Sequence, residues 1–425
     1  MAQVPITAMS LVGSMGRTTA EVLAALDQGR TGLRRPEELD GLALSLPFST
    51  VVGAVPGALP SLPATEGRYD TRLARIGLMA LEEVRPALER ALGRWGRRRV
   101  AILIGTSTGG LDATEVAFRA WAQSGGPGGE GAPPGRVPEG FDLRTQHDFN
   151  ALGELIRRVT GIEGPTYVVS TACSSSGKVH ASALRLMALG LIDAALVGGI
   201  DSLCRMTLHG FRGLGILSET HCKPFAADRA GINIGEGAGL MLLERAGELT
   251  NTAAEAFLLG VGESSDAYNM SSPEPSGRGA KEAMTRALAQ ADLVPADVGL
   301  LIAHGTATQQ NDVAEAMAVE AILGASVPVI STKGYTGHQL GAAGASSAVF
   351  AAHAARTGRI PRSLGAEPKD PAIRVNVLPD GRTSGPVDVA LANAFAFGGS
   401  NVCLAIASPA FVAGRAPRSS RTGTP

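Results

Sequence analysis

Cys173 is the side chain with the clearest capacity for nucleophilic chemistry. It follows a short apolar run at 167–169 and lies in a Ser/Thr/Gly cluster, 170–177, that opens a helix-like stretch. Free backbone N–H groups and the positive end of the helix dipole favour a thiolate at such a position. We therefore expect a nucleophile, although this stretch alone leaves a buried structural thiol equally open.

Three segments of the second half resemble this turn, because each follows an apolar strand-like run and combines small residues with polar or aromatic side chains. In α/β sheets the strand ends and their loops are where functional sites gather. The candidate residues of these segments are His304, Thr306, Thr308, Lys333, His338, Phe397 and Gly398.

The chemistry that suits this set is acyl transfer. A thiolate nucleophile implies a thioester or acyl-enzyme intermediate. Two imidazole N–H donors, from His304 and His338, have a natural use where an enolate oxygen develops as carbon dioxide leaves. Backbone N–H groups near Phe397 and Cys173 would serve as an oxyanion hole. The absence of an HxxxH spacing or a second ligand pair argues against a metal.

Two further roles follow from position. Thr306 and Thr308, at alternate positions, can point the same way and bond an amide-rich arm such as pantetheine. Lys333 lies five residues before His338, between a strand and a glycine, so a role in ordering the histidines is plausible.

The composition is that of a soluble protein of 425 residues, with 44% hydrophobic residues and a formal net charge of −1. The near-neutral charge argues against nucleic acid as a partner. The four cysteines are widely spaced without a CxxC, which argues against a disulfide framework and favours a reducing cytoplasm. No apolar run long enough to cross a bilayer occurs, so no membrane insertion is expected.

Strand–helix alternation in both halves predicts an α/β architecture. We expect an N-terminal half at 1–250 with the nucleophile, a C-terminal half at 251–410 with the lysine and both histidines, and a disordered tail at 411–425. The Gly/Pro-rich segment 124–140 predicts a surface loop or a mobile insertion.

Four motifs carry a family resemblance: TACSS at 171–175, HGTAT at 304–308, KGYTGHQLGAAG at 333–344 and FGGSN at 397–401. They are similar to the signatures of the β-ketoacyl-acyl carrier protein synthases, in the Cys-His-His class of types I and II. The resemblance implies a thiolase-like fold, with two stacked βαβαβαββ halves in an αβαβα layered arrangement and the site between them.

The resemblance also implies roles. Cys173 would accept the acyl chain, His304 and His338 would support decarboxylation of a malonyl-carrier thioester, Lys333 would order the site, and Phe397 would be the gate beside the acyl pocket. The implied partners are an acyl carrier protein and a second subunit, in a homodimer or in a heterodimer with a related chain. No cofactor is implied, because phosphopantetheine arrives on the carrier protein.

Two positions depart from the family pattern. Ser347 stands where relatives usually carry a glutamate, so a carboxylate contact to Lys333 would come from elsewhere, such as Asp312, or be absent. Asn269 stands where fatty-acid members commonly have histidine. Together with segment 124–140, these departures make polyketide or polyene synthesis at least as good an expectation as fatty-acid synthesis.

Two rival functions use the same residues differently. A non-catalytic partner subunit, of the chain-length-factor kind, usually lacks the nucleophile, so the presence of Cys173 argues against it. A thiolase-like enzyme acting on coenzyme A thioesters needs a second cysteine near the C-terminus. Cys403 is the candidate, but its apolar strand setting suggests packing.

A carrier protein is usually acidic, so a basic surface near the mouth of the site is expected. Two sets of arginines are candidates, and the sequence favours neither strongly. The first set is Arg72, Arg75, Arg205 and Arg212, and the second is Arg94, Arg97, Arg98 and Arg99.

Overall fold

The computed structural model describes residues 3–40, 42, 44–127, 135–381, 385 and 387–415. The strands are β1 (Val4–Gly13), β2 (Val100–Gly105), β3 (Thr166–Val169), β4 (Ala194–Asp201), β5 (Gly237–Glu244), β6 (Ala256–Ser265), β7 (Val298–Ile302), β8 (Pro328–Ile330), β9 (Asn376–Val377), β10 (Val389–Ala396) and β11 (Ser400–Ala407). The helices are α1 (Thr19–Asp27), α2 (Arg72–Trp95), α3 (Leu111–Gln123), α4 (Leu143–Gln146), α5 (Phe149–Thr160), α6 (Ser175–Ala188), α7 (Arg205–Gly213), α8 (Glu248–Thr252), α9 (Arg278–Ala291), α10 (Gln309–Leu323), α11 (Lys333–Thr336), α12 (Ala343–Thr357) and α13 (Pro409–Gly414).

The strands form one hydrogen-bonded order, β3-β2-β4-β5-β1-β6-β11-β10-β7-β8-β9. Read inward, the first half has the order β3-β2-β4-β5-β1 and the second half has the order β8-β7-β10-β11-β6. The two orders are the same once the short outer strand β9 is left out of the count. A short antiparallel pairing of β1 with β6, from Val4 opposite Leu258 to Ile6 opposite Ala256, joins the halves. The chain therefore consists of two topologically equivalent halves.

Helices α6 and α12 lie between the halves. Helix α6 packs on β2 and β4 and also contacts β6 and β11, while α12 contacts β10 and β11 on one side and β4 and β5 on the other. Every residue of α12 from Ala343 to Ala355 is buried, as expected for a helix enclosed on all sides. Helices α2 and α9 cover the outer faces, giving five layers.

Helix α2, on an outer face, is an element that the periodicity of apolar residues predicts correctly from the sequence. Its apolar stripe, including Ile76, Leu81 and Leu88, is buried, while the intervening charged residues remain outside. Thr71 caps the helix by accepting the N–H of Ala74 at 3.0 Å. The helix continues through Pro86 to Trp95.

The C-terminal boundary differs from expectation. Helix α13 runs from Pro409 to Gly414, and Ser408 caps it by accepting the N–H of Phe411. The prediction of disorder from residue 411 is therefore wrong up to 415, and 416–425 lie outside the described residues. Of the predicted loop 124–140, residues 128–134 also lie outside them. In the described part of the chain, no helix is long and apolar enough to cross a membrane.

Candidate active site

Cys173 lies in a sharp turn between β3 and α6. Ala172 has a left-handed backbone with φ of 51°, which costs energy for a residue with a Cβ. The turn is held by the N–H of Thr171, which donates to Ser175 Oγ at 2.9 Å, and by the N–H of Ser175, which donates to the Ala172 carbonyl at 3.1 Å. This strained geometry directs Cys173 into the cavity between the halves.

The surroundings of Cys173 favour the neutral form of its thiol. Burial raises the pKa of Cys173 to about 12, and the opposing attraction of the Lys333 ammonium does not compensate. The helix proper begins only at Ser175, two residues further on. Burial therefore opposes the thiolate that the turn and the helix end favour, because the second half encloses the thiol and a low-dielectric site penalises its charged form.

Glu315, a residue of α10, fixes the backbone of the turn that carries His304. Its carboxylate accepts the backbone N–H of His304 and that of Gly305, each at 2.8 Å, and the side-chain amide of Asn393 at 3.0 Å. Burial raises the pKa of Glu315. Sequence reasoning missed this residue, although a charged residue inside an alanine-rich helix such as α10 was a signal that could have found it.

Asp312 holds the next part of the same turn. It accepts the backbone N–H of Ala307 at 3.1 Å and that of Phe225 at 2.8 Å, two residues with positive φ of 65° and 67°. Such conformations cost about 1–3 kcal/mol each and persist where surrounding contacts fix them. Asp312 therefore stabilises backbone. Of the two alternatives for Lys333, a carboxylate contact such as Asp312 or none, the second holds for direct ion pairs within the described residues, although the nearby charges of Glu315 and Asp312 oppose the lowering of the Lys333 pKa by burial.

Lys333 lies behind His304. Its Nζ donates to the His304 carbonyl oxygen and lies 3.4 Å from Nδ1 of the same residue. When charged, the Lys333 ammonium can only donate, which favours the tautomer of His304 that accepts at Nδ1 and carries its proton on Nε2. Burial lowers the pKa of Lys333, opposed mainly by the nearby Glu315. Ser347, in the place of the usual family glutamate, is buried and brings no charge.

His304 and His338 form a neutral pair. Their ring centroids are 5.2 Å apart, with the planes at 81°. Burial, together with the Lys333 charge, holds the pKa of both imidazoles well below the ordinary value of 6.5. The backbone N–H of His338 donates to the Asn233 carbonyl at 2.7 Å, which fixes its position. Both rings can therefore donate hydrogen bonds without carrying charge.

One cavity collects most of the predicted site. Its lining includes Cys173, His304, Thr306, Thr308, His338 and Phe397. The two threonine hydroxyls are 2.9 Å apart and so point the same way. Gly398 does not line this cavity, because its N–H turns away to donate to the Met270 carbonyl at 2.8 Å.

Aromatic rings narrow the cavity near its mouth. Phe397 is 37% exposed, and its ring centroid lies 5.8 Å from that of Phe211 on α7. Phe395 lines the interior, 5.7 Å from the His304 ring. The sequence prediction gave a role to Phe397 but none to Phe395, which precedes it by two residues in β10, or to Phe211 of α7.

The candidate arginines occupy three kinds of place. Arg72 forms a two-point ion pair with the buried Glu236, and Arg75 forms one with Asp70 at 2.6 Å. Both charges are thus satisfied internally. Arg205 and Arg212 belong to α7, whose Phe211 lines the cavity, and Arg212 pairs with Glu219 at 3.0 Å. The cluster at 94–99 precedes the start of β2, whereas Cys173 follows the end of the parallel neighbour β3, so that cluster lies at the opposite end of the sheet.

Cys403 is fully buried in β11 and does not line the cavity. It faces Asn393 across the β10–β11 pair. This placement agrees with the interpretation of Cys403 as a packing residue. Cys403 is therefore not positioned to act as the second catalytic cysteine that a thiolase-like reaction needs. Within the described residues, no group of three His, Cys, Asp or Glu side chains is placed to hold a metal ion.

Family models match nearly the whole chain. The β-ketoacyl synthase N-terminal domain matches residues 1–248, and the β-ketoacyl synthase C-terminal domain matches residues 255–367. The chain belongs to the β-ketoacyl synthase family. It is therefore a condensing enzyme of the acyltransferase type, as the four motifs indicated.

Two curated relatives come from Rhizobium meliloti (strain 1021). The β-ketoacyl synthase described here is 35% identical to 3-oxoacyl-[acyl-carrier-protein] synthase 2 over 301 residues, covering 65% of this chain and 71% of that protein. It is 31% identical to nodulation protein E over 414 residues, covering 95% and 98%.

Solved structures confirm the thiolase-like α/β fold. A ketosynthase (ApeO) in complex with its chain length factor (ApeC) from Xenorhabdus doucetiae matches with a TM-score of 0.84 and 34% identity, covering 96% of this chain and 98% of that one. A β-ketoacyl synthase from Burkholderia phymatum STM815 matches with a TM-score of 0.81 and 27% identity, covering 96% and 100%.

Proposed function

We propose that this synthase transfers an acyl chain from an acyl carrier protein to Cys173 and condenses it with a malonyl-carrier thioester, releasing carbon dioxide. The observation that carries the proposal is the content of one cavity: a thiol, two neutral imidazoles and a pair of threonine hydroxyls. These are the groups that acyl transfer and enolate formation require.

In the first step, Cys173 Sγ attacks the thioester carbonyl and the carrier's C–S bond breaks. The thiol proton passes through a neutral imidazole to the departing pantetheine sulfur. Because the pKa of the resting thiol is raised to about 12, deprotonation is coupled to transfer and does not precede it. Backbone N–H groups at Cys173 and Phe397 would hold the carbonyl oxygen as it becomes negative.

In the second step, the malonyl C–C bond breaks and carbon dioxide leaves. Its electron pair forms an enolate whose oxygen accepts hydrogen bonds from His304 Nε2 and from His338. The enolate carbon attacks the acyl-Cys173 carbonyl, the carbon–sulfur bond of the thioester breaks, and the departing sulfur takes up a proton from solvent. Thr306 and Thr308 would bond the pantetheine arm, and the protein needs no metal or cofactor of its own.

The open edge of the sheet supports a dimer. Strand β3 ends the sheet order, and Tyr167 within it is 52% exposed. Leu189 and Leu191, just after α6, are 73% and 53% exposed. An unpaired strand edge with apolar neighbours suits pairing with another subunit. The likeness to a ketosynthase bound to a chain length factor favours a heterodimer with a related chain over a homodimer.

We infer that the assembly acts in the cytoplasm in polyketide or polyene synthesis. Fatty-acid synthesis is the alternative, supported by the 35% identity to a 3-oxoacyl-[acyl-carrier-protein] synthase. The chain that the enzyme accepts for a further condensation distinguishes the two: a chain that keeps its keto groups or conjugated double bonds indicates a polyketide or a polyene, whereas a fully saturated chain indicates a fatty acid.

The reaction is tested with hexanoyl- and malonyl-acyl carrier protein, by following carbon dioxide and the β-ketoacyl product. The wild type should form both. His304→Ala and His338→Ala should still accept the acyl group but release carbon dioxide at least roughly a hundredfold more slowly, as for loss of an oxyanion donor. Equal decarboxylation by wild type and both variants would refute the assignment.

A further inference from the structure

The hydroxyl of Ser174 does not cap the helix that it precedes. Ser174 is the last residue before α6, a position where a serine side chain ordinarily accepts a free backbone N–H of the helix. Here its Oγ accepts no such bond, although the residue is fully buried. A buried hydroxyl that gives up its usual partner must find others, because an unpaired one costs free energy.

Three contacts occupy this hydroxyl instead. Ser174 Oγ donates to the Thr171 carbonyl oxygen at 2.9 Å, within its own turn. It also lies 3.1 Å from Thr171 Oγ1 and 3.1 Å from Ser400 Oγ. A hydroxyl has one proton and two lone pairs, so three partners can use its full capacity. The contact with Ser400 is the one that leaves the local turn.

The bond between Ser174 and Ser400 joins the two halves of the chain. Ser174 adjoins Cys173 in the turn from β3 to α6, and Ser400 is the first residue of β11, directly after the turn 397–399. Among the described residues, it is the one hydrogen bond that connects these two turns. Neither serine lines the catalytic cavity, so both lie behind the reacting groups.

The turn 397–399 has little conformational restraint of its own. Gly398 and Gly399 have left-handed backbones, with φ of 80° and 77°. Glycine reaches many backbone conformations at low cost, so such a turn keeps one shape only where contacts hold it. The Gly398 N–H donates to the carbonyl of Met270, a loop residue that is 85% exposed. The bond to Ser174, by contrast, has a fully buried residue at its other end.

We propose that Ser174 and Ser400, here named the serine pair, hold together the two parts of the oxyanion hole. The backbone N–H of Cys173 belongs to the first half and that of Phe397 to the second, so their separation depends on how the two turns are joined. The serines are positioning residues, because they act through these N–H groups. The inference rests on the proposed function, in which both N–H groups hold the thioester oxygen.

The serine pair should matter in some steps of the reaction and not in others. Attack on a thioester carbonyl, in acylation and in condensation, puts negative charge on the oxygen that the two N–H groups hold. Decarboxylation of the malonyl group instead puts charge on an oxygen that His304 and His338 serve. Loss of the pair should therefore slow acyl transfer to Cys173 far more than it slows carbon dioxide release.

The test uses two substitutions of Ser400 that have the same branched shape, Ser400→Val and Ser400→Thr, of which only threonine keeps the hydroxyl. Ser400→Val should lower kcat for acylation by hexanoyl-acyl carrier protein roughly tenfold, with a much smaller change in KM. Ser400→Thr should recover most of that loss. Carbon dioxide release from malonyl-carrier protein, measured with unacylated enzyme, should stay close to wild type in both variants.

Two further variants locate the effect. Ser174→Ala should reproduce the loss of Ser400→Val, and the double variant should be no slower than either single variant, because all three remove the same bond. Ser182→Ala is the matched control. It removes another hydroxyl of α6, one that donates to the Lys178 carbonyl at 3.3 Å, and should acylate like wild type.

The outcomes separate the two levels of the proposal. Equal acylation rates in Ser400→Val and Ser400→Thr would overturn the serine pair. Equal losses of acylation and of carbon dioxide release in Ser400→Val would also overturn it, because they would indicate general damage to the cavity. Failure of the wild-type enzyme to become acylated at all would instead refute the proposed function.

Discussion

At the scale of single residues, the cavity is built from neutral groups. Burial raises the pKa of Cys173 and lowers those of His304 and His338, so thiol and imidazoles are uncharged before substrate binds. Negative charge then develops on the substrate oxygen only as the reaction proceeds, next to hydrogen-bond donors that are already in place. Such preorganised donors stabilise a developing oxyanion without reorganising at the moment of reaction.

Lys333→Met tests the positioning of His304. Methionine keeps an unbranched chain but cannot donate to Nδ1, so the imidazole loses the contact that fixes its proton on Nε2. We expect carbon dioxide release from malonyl-carrier protein to fall roughly a hundredfold, while acylation of Cys173 changes far less. Mass spectrometry and carbon dioxide release measure the two steps separately, and equal loss in both would contradict a role through His304.

The depressed imidazole pKa values predict a pH-dependent stability. Below about 6.5 the unfolded chain binds protons that buried His304 and His338 do not, so their contribution is present above that pH and is lost as pH falls. Between pH 7.5 and 5.5, wild type should lose about 1 kcal/mol more unfolding free energy than His338→Asn. Urea unfolding at the two pH values measures this, and parallel losses would show that His338 is freely protonated when folded.

At the scale of elements, Asp201 connects the two halves beside the site. It lies at the end of β4 and accepts hydrogen bonds from Thr106, Ser107 and Thr108 of the β2–α3 loop at 2.8–2.9 Å. It also accepts the N–H of Ala342, at the start of α12, at 3.1 Å. Burial raises the pKa of Asp201 to about 6, although these donors oppose the shift.

Asp201→Ala should therefore destabilise the fold strongly. The variant leaves several buried donors unpaired, at a cost of about 3 kcal/mol or more. Asp228→Ala is the control, since Asp228 belongs to an exposed pair with Lys223 and its loss should leave the unfolding midpoint unchanged. Urea midpoints compare the two, and a similar small effect in both would show that Asp201 does not connect the halves.

Helices and strands whose own residues carry a clear cap or apolar pattern could be predicted from the sequence. Elements whose pattern depends on packing against distant parts of the chain could not. Thr18 caps α1 and the apolar run at 4–13 forms β1, two features that depend only on nearby residues. Strand β6 and helix α9 were missed: the glycines of β6, Gly260 and Gly262, obscure the strand pattern because they make room for the backbone of α9. Motifs identified the reactive residues, but Glu315 and the pKa of Cys173 depend on contacts across the fold.

At the scale of the whole molecule, two equivalent halves place the thiol on one side of the cavity and the histidines on the other. Cys173 comes from the start of α6, and His304 and His338 follow β7 and β8 of the second half. The site therefore exists only when the halves are packed. The sheet ends at β3, which leaves the first half an edge that a second subunit can extend.

Tyr167→Lys tests that edge. A charged side chain on an exposed strand opposes pairing with another chain, so the variant should dissociate at protein concentrations at least roughly tenfold higher than wild type. Tyr268→Lys is the matched control, with a comparably exposed tyrosine away from the edge. Sedimentation equilibrium measures both, and identical association of the two variants would exclude β3 from the interface.

The most direct test of the account is the intact mass of the enzyme after mixing with hexanoyl-acyl carrier protein. Wild type and Cys403→Ala should gain one hexanoyl group, and Cys173→Ala should gain none. Addition of malonyl-carrier protein should then remove the adduct with release of carbon dioxide. An adduct retained by Cys173→Ala, or one that malonyl-carrier protein does not discharge, would contradict the assignment of Cys173 as the acyl-accepting nucleophile.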